Sequence, residues 1–233
     1  GDVFYHQPGK SNPRQMTKTE AFETDVKFSP EGNYISYIRE QNLYFVDIAS
    51  GEEQAVTTEG GGTIKFGMAE FVAQEEMKRM TGDWWSPDES AIALTKVDES
   101  PVPSATRSEI YADRIETIQQ RYPFAGSDNV DIDLGIYRIK VRKADWLELD
   151  RLGDGYLARV KWVVDSQHLS YQWQSRNQQE LNLLIYNRRE KNERELLTET
   201  SDSWVNLHND LHFLEDNKHF IWASERSGHK HLY

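Results

Sequence analysis

Two glutamates stand side by side at Glu75 and Glu76, inside the stretch EFVAQEEMKRMTGDWWSPDES that runs from residue 70 to 90. Adjacent carboxylates in a short, otherwise apolar segment admit two uses. If AQEEMKRMTG forms a short helix, Glu75 and Arg79 fall at i and i+4, where an exposed ion pair adds about 0.2–0.5 kcal/mol. Alternatively, both carboxylates face a cavity and hold a cation. Two carboxylates offer several acceptor positions to the three N–H donors of an ammonium, and a bound cation relieves the repulsion between them. A peptide α-amino group, with a pKa of ~7.7–8.0, is mostly protonated at neutral pH and is one such cation. Spacing alone leaves both uses open.

Little else in the chain carries chemistry. There is no G-x-S-x-G elbow for a hydrolase serine, and no Walker loop, G-x-G-x-x-G or H-E-x-x-H. The glycine-rich TEGGGT (58–63) does not lead into a helical pattern, so it is no phosphate cradle. His208, His212, His219, His229 and His231 gather near the C-terminus, but that region has a strand pattern that would not converge His208 and His212 on a metal. With no cysteine, disulfides and cysteine-bound metals are excluded.

Composition narrows the class further. Of 233 residues 37% are apolar and 12% aromatic, enough for a globular core. A formal net charge of -12 argues against nucleic acid as a partner and suits a solubilised surface or a cation-drawing cavity. No apolar run approaches the ~18 residues that suggest a membrane helix. The opening GDVFYHQPGK has no basic or apolar leader pattern and reads as the middle of a strand, while WASERSGHKHLY stops on an alternation. Both ends look cut, so the chain is expected to be a piece of a longer protein of unknown compartment.

The elements that must position the glutamates are strands. DVKFSP, YISYIR, NLYFVDI and QAVTT form an antiparallel meander between Asp25 and Thr58, with Gly32 in the first reversal. The pattern aromatic-x-x-acid, then an apolar alternation, a polar hairpin and a second strand, returns at Phe28, Trp85, Trp162 and Phe213. A four-stranded unit recurring every ~40–60 residues is the signature of a β-propeller blade; a sandwich with similar turn spacing is the alternative. The expected fold is therefore all-β, a propeller segment of about four to five blades, with units near 1–20, 21–60, 61–100, 101–200 and 201–233 and a short helix carrying the glutamate pair. Residues ~100–135 are expected to be an insertion, an extended crossing with one short strand, and REKNERE (189–195) a charged hairpin tip.

EFVAQEEM followed by WWSPDESAIAL, then YPFAGSDN and the terminal SERSGHKHLY, resembles the N-terminal propeller of bacterial dipeptidyl peptidase IV enzymes, serine peptidases of the prolyl oligopeptidase superfamily. The likeness covers essentially the whole chain, and its most specific part is the double-glutamate helix ahead of Trp-Trp-Ser-Pro.

The resemblance implies an eight-bladed propeller capping an α/β-hydrolase domain, here absent, that would supply the catalytic Ser, Asp and His. This chain alone would then be inactive, and peptide substrate would lie between the two domains. Glu75 and Glu76 would grip the free N-terminus of the peptide, so that only the bond after the second residue, Pro or Ala, reaches the serine. SDSWVNLHNDLHF would line the outer S2 pocket, with Leu207 where some relatives carry an aromatic and His208 where they carry an arginine. The arginine that contacts the substrate carbonyl would lie upstream of Gly1. The resemblance calls for no cofactor and no metal, and implies a homodimer in many relatives and export to the periplasm in bacterial ones. A non-catalytic propeller that binds proteins, or a tripeptidyl or acylpeptide-releasing relative, are the competing readings.

Overall fold

A computed structural model of the chain describes residues 1–149 and 152–233. It is nearly all β, in antiparallel sheets. A two-stranded sheet pairs β1 (Phe4–Tyr5) with β2 (Arg14–Gln15). The second sheet runs in chain order through β3 (Glu23–Phe28), β4 (Tyr34–Arg39), β5 (Asn42–Asp47) and β6 (Glu53–Ala55), the meander expected from the sequence.

The third sheet centres on β9 (Ala91–Asp98). One of its edges is shared end to end by β7 (Ile64–Phe66) and β8 (Asp83–Trp85), and helix α1 (Phe71–Glu75) lies in the excursion between them. On the other edge β12 (Asp131–Arg138) pairs along the full length of β9, followed by β13 (Lys143–Trp146). Between β9 and β12 the chain projects an arm, β10 (Ser104–Ile110) paired with β11 (Ile115–Arg121). The fourth sheet is β14 (Gly155–Trp162), β15 (His168–Ser175), β16 (Glu180–Asn187) and β17 (Asn192–Thr200); the fifth is β18 (Leu211–Phe213), β19 (Phe220–Ser224) and β20 (His231–Leu232).

Two expectations need correction. The insertion is a regular seven-pair hairpin, Ser104 facing Arg121 through Ile110 facing Ile115, rather than a crossing with one short strand. Its residues are mostly exposed, so no buried side imposes an apolar alternation on the sequence. The boundary near residue 100 also moves: residues 131–146 complete the sheet begun at 64, and a new sheet starts at 155. The arm separates the two halves of the third sheet in sequence while β9 and β12 reunite them in space.

The recurring aromatic marks a recurring hairpin. Phe28, Trp85, Trp162 and Phe213 each end a strand. In every case the next N–H, of Ser29, Ser86, Val163 or Leu214, donates to the carbonyl five residues on, at 2.9–3.0 Å. The turn closes with a left-handed residue at the same place: Gly32 (φ 77°), Glu89 (54°), Ser166 (57°) and Asn217 (55°). Only the first is glycine, and it is the residue type that takes this conformation without cost.

Packing joins neighbouring sheets in series. Tyr37 and Val46 share a core with Val3 and Met16; Ile38 and Phe45 pack with Trp85 and Leu94. Ala93 and Leu134 pack with Leu157 and Trp173, and Leu181 and Leu183 with Leu211 and Trp222. Indole N–H groups fasten three of these seams: Trp85 donates to Ser36 Oγ (3.1 Å), Trp162 to the Trp84 carbonyl (2.9 Å) and Trp222 to Glu199 Oε1 (3.0 Å).

Candidate functional site

The glutamate pair sits at the end of α1, and α1 is too short to stand alone: a single turn pays the nucleation penalty with almost no propagation. Its position is set by tertiary ties. The neck of the excursion is closed by a bridge between Met68 and Thr81, and Thr95 Oγ1 donates to the Met68 carbonyl at 2.8 Å. Gly82 makes this closure possible, because a Cβ there would come within 2.5 Å of the Met68 backbone. Above the neck, fully buried Ala73 and nearly buried Met77 anchor the helix, Met77 reaching the core shared by Leu181, Leu211 and Trp222.

A buried ion pair fixes the rest. Glu70, the residue before the helix, makes no side-chain cap; its Oε2 instead accepts from Arg79 Nη2 at 2.5 Å, with both side chains about 95% buried. Arg79 is otherwise satisfied, donating from Nε to the Leu157 carbonyl (3.0 Å) and from Nη1 to the Thr81 carbonyl (3.0 Å). The surface pair Glu75–Arg79 allowed by the sequence therefore does not form. The helix ends at Glu75, and the chain turns through Met77 and Lys78 (φ 56°) before Arg79, so i,i+4 helical geometry does not extend that far.

Glu75 and Glu76 are left exposed. Neither carboxylate takes a hydrogen bond or ion pair among the described residues, although the nearest guanidinium in sequence is fully engaged with Glu70. Two exposed carboxylates at consecutive positions thus follow a helix held from below by Ala73, Met77 and the Glu70–Arg79 pair. Beside the start of α1, the ring of Phe71 meets Tyr122 edge-on at 5.2 Å, and Tyr122 meets Phe124 at 4.8 Å, so YPF of the insertion buttresses the helix.

Leu207 and His208 lie elsewhere on the same framework. They line a cleft of about 260 Å³ between the fourth and fifth sheets, with Trp204, Glu199 and Arg226. Leu207 packs against the core that Met77 enters, which links this segment to the glutamate turn through shared packing. Glu75 and Glu76 do not line that cleft. His208 Nδ1 accepts from the Asp210 N–H (3.1 Å), and its ring meets Trp222 edge-on at 4.4 Å. Burial, seconded by the Lys230 charge, pushes its pKa below the ordinary histidine value, so near neutral pH the ring is uncharged. It does not replace the charge of an arginine. The neighbouring Asn209 accepts from Arg159 Nε at 2.7 Å, tying the segment to β14, the strand whose Leu157 carbonyl holds Arg79.

Sequence reasoning missed Glu70 and the true partner of Arg79. Both residues were visible, but their pairing depends on where the helix stops. Among the described residues no three His, Asp or Glu converge on a metal position, and no helix is long and apolar enough to cross a membrane.

Comparison with known proteins adds an independent line. Residues 1–233 match the family model described as the dipeptidyl peptidase IV (DPP IV) N-terminal region. Dipeptidyl peptidase 8 of Mus musculus is 24% identical over a match covering 99% of this chain and 32% of its own length. A Grosmannia clavigera protein named "Probable dipeptidyl-aminopeptidase B" is 28% identical, over 49% of this chain and 14% of its own length. The crystal structure of Porphyromonas gingivalis dipeptidyl peptidase 4 superposes with a TM-score of 0.88 at 23% identity, over 95% of this chain and 32% of that one. The chain thus spans a third or less of the length of these relatives.

Proposed function

Because the chain belongs to the family of dipeptidyl peptidase IV N-terminal regions, we propose that it is the substrate-gating propeller portion of a serine-type dipeptidyl peptidase in which Glu75 and Glu76 hold the α-ammonium of the peptide. The observation that carries this reading is the pair of exposed, unpartnered carboxylates on a turn pinned by the buried Glu70–Arg79 bridge. A site preorganised in this way loses little conformational entropy on binding. Charge-assisted bonds from an ammonium to two carboxylates also place the peptide end at a fixed point.

Fixing the amine sets a length. A hydrolase domain from the remainder of the protein, completing an eight-bladed ring and its catalytic Ser-Asp-His, then receives the bond after the second residue and releases X-Pro or X-Ala dipeptides. Leu207 and His208 belong to the outer wall of the pocket for the first side chains, where an uncharged His208 favours apolar or neutral groups. The chain by itself has no peptidase activity in this account.

The test is hydrolysis of a Gly-Pro chromogenic substrate by the full-length protein, with the amino terminus free or acetylated. Cleavage of the free form alone is expected. Equal cleavage of both would return the glutamates to a surface turn and favour an acylpeptide-releasing or endopeptidase-like relative, and no cleavage of either would favour a non-catalytic binding propeller.

A further inference from the structure

The returning strand of the arm, β11, runs directly into Tyr122, Pro123 and Phe124. This root is tied down on both sides. The Tyr122 N–H donates across the base of the hairpin to the Pro103 carbonyl at 3.0 Å. Arg121 Nη1 donates to the carbonyls of Ser100 (3.3 Å) and Val102 (2.5 Å). Beyond the root, Ser127 donates from its N–H and its Oγ to the Phe124 carbonyl, at 2.9 and 2.7 Å. Arg176, just after β15, donates in turn to the Ser127 carbonyl. The backbone carrying Tyr122 and Phe124 is thus fixed to the third and fourth sheets, while the two rings stay 40% and 50% exposed.

What those rings touch is the first residue of α1. Tyr122 meets Phe71 edge-on at 5.2 Å, with Phe124 behind it at 4.8 Å. Phe71 and Glu75 stand at i and i+4 of the same helix, so their side chains share one face, with Cβ atoms about 5–6 Å apart. Ala73, the fully buried residue of the helix, lies about 200° round the axis from Phe71. It therefore holds the back of the helix, whereas Tyr122 holds the face that carries Glu75. There is little slack between them: Phe71 and Val72 line, with Val102, Pro123, Ile132 and Tyr156, a recess of about 20 Å³. Such a space has room for about one water.

We infer that Tyr122, backed by Phe124, is a positioning residue for the amine site: its ring against Phe71 sets the roll of α1, and with it the direction in which Glu75 and Glu76 are presented. The inference rests on the reading of the glutamate pair as the amine anchor. A helix of one turn has too few bonds of its own to resist rolling, and a small misplacement of a binding group carries a large cost in rate. The root of the arm is the part of the molecule placed to prevent it.

The experiment takes two readouts on the full-length protein. Deuterium exchange of residues 71–79 follows the helix without substrate, through the N–H groups of Gln74, Glu76 and Arg79 that donate to the carbonyls of Glu70, Val72 and Ala73. Steady-state hydrolysis of a free-amine Gly-Pro chromogenic substrate follows the site. Tyr122→Ala should speed exchange of the segment several-fold and raise KM about tenfold. Its kcat should stay within about twofold, since an amine anchor binds ground state and transition state alike. Phe124→Ala should move both readouts the same way by less. Tyr122→Phe should restore both, because the hydroxyl takes no hydrogen bond among the described residues. Unchanged exchange in Tyr122→Ala, faster exchange with KM unchanged, a loss confined to kcat, or no rescue by Tyr122→Phe each overturns the inference. Glu75→Gln/Glu76→Gln, assayed alongside, keeps the two failures apart. If KM rises there but not in Tyr122→Ala, the positioning role fails and the anchor stands; if it rises in neither, the anchor itself fails. A rise in Tyr122→Ala alone would mean that the ring does not act through the carboxylates, and overturns the inference as well.

Discussion

At the scale of single residues, Glu75 and Glu76 have no side-chain partner among the described residues, unlike Glu70 and Asp83 nearby. Glu70 is consumed by Arg79 and Asp83 by Lys27, at 2.5 and 2.7 Å. Glu75→Gln and Glu76→Gln should each lower kcat/KM for a free-amine Gly-Pro substrate by about tenfold to a hundredfold, the loss of one charge-assisted contact. The thermal midpoint should barely move, since neither side chain makes a bond among the described residues; surface changes of this kind stay within about 0.5 kcal/mol. Parallel assays of activity and unfolding on the same variants check both halves. Asp83 gives the opposite case. Full burial outweighs its bond to Lys27 and pushes its pKa up from 3.8 to about 6. A carboxyl that binds its proton more tightly folded than unfolded contributes stability that is whole below about pH 4 and is lost as pH rises through about 6. The stability difference between wild type and Asp83→Asn should shift against wild type across that window and be level on either side. Melting curves from pH 3.5 to 7.5 would show it.

At the scale of elements, the question is what holds a one-turn helix still. Arg79→Ala should destabilise by about 3–5 kcal/mol, because it strands Glu70 in the interior without its counter-charge. Glu70→Leu/Arg79→Leu should cost less than the single change, since it removes both charges together. Unfolding of the three proteins in denaturant decides this, and a double variant worse than Arg79→Ala would contradict it. Much of this level was legible beforehand. The strand–hairpin units at Phe28, Trp85, Trp162 and Phe213 could be read because the aromatic, the turn and the left-handed residue lie within a few positions of one another. The partners of Arg79 could not, because they depend on the helix stopping at Glu75 and on β14 arriving from 78 residues away. The insertion holding β10 and β11 was legible but its pairing was not, because the arm has no buried face to impress a pattern on its sequence.

At the scale of the whole molecule, each seam between neighbouring sheets has its own core, and Met77 from the excursion of the third sheet also reaches the core between the fourth and fifth. Stability in such a series is close to a sum of local terms. Trp85→Phe and Trp222→Phe sit in different seams, so their destabilisations should add to within about 0.5 kcal/mol; a larger departure, measured in a double-mutant cycle, would mean that the seams communicate. The same serial layout explains how the third sheet could be divided wrongly from sequence: β9 and β12 pair across the arm, a connection that no local spacing reveals. It also explains how the site is assembled. The glutamate turn and the Leu207–His208 cleft come from different sheets that share a core, so a peptide held as proposed would contact residues far apart in the chain.

The measurement that tests the central claim most directly is the ratio of kcat/KM for free over acetylated Gly-Pro substrate, taken in the full-length wild type and in Glu75→Gln/Glu76→Gln. The account predicts a large ratio in wild type that collapses toward one in the double variant, through loss on the free substrate alone. A ratio that stays large without the two carboxylates would show that another group holds the amine, and would contradict the account.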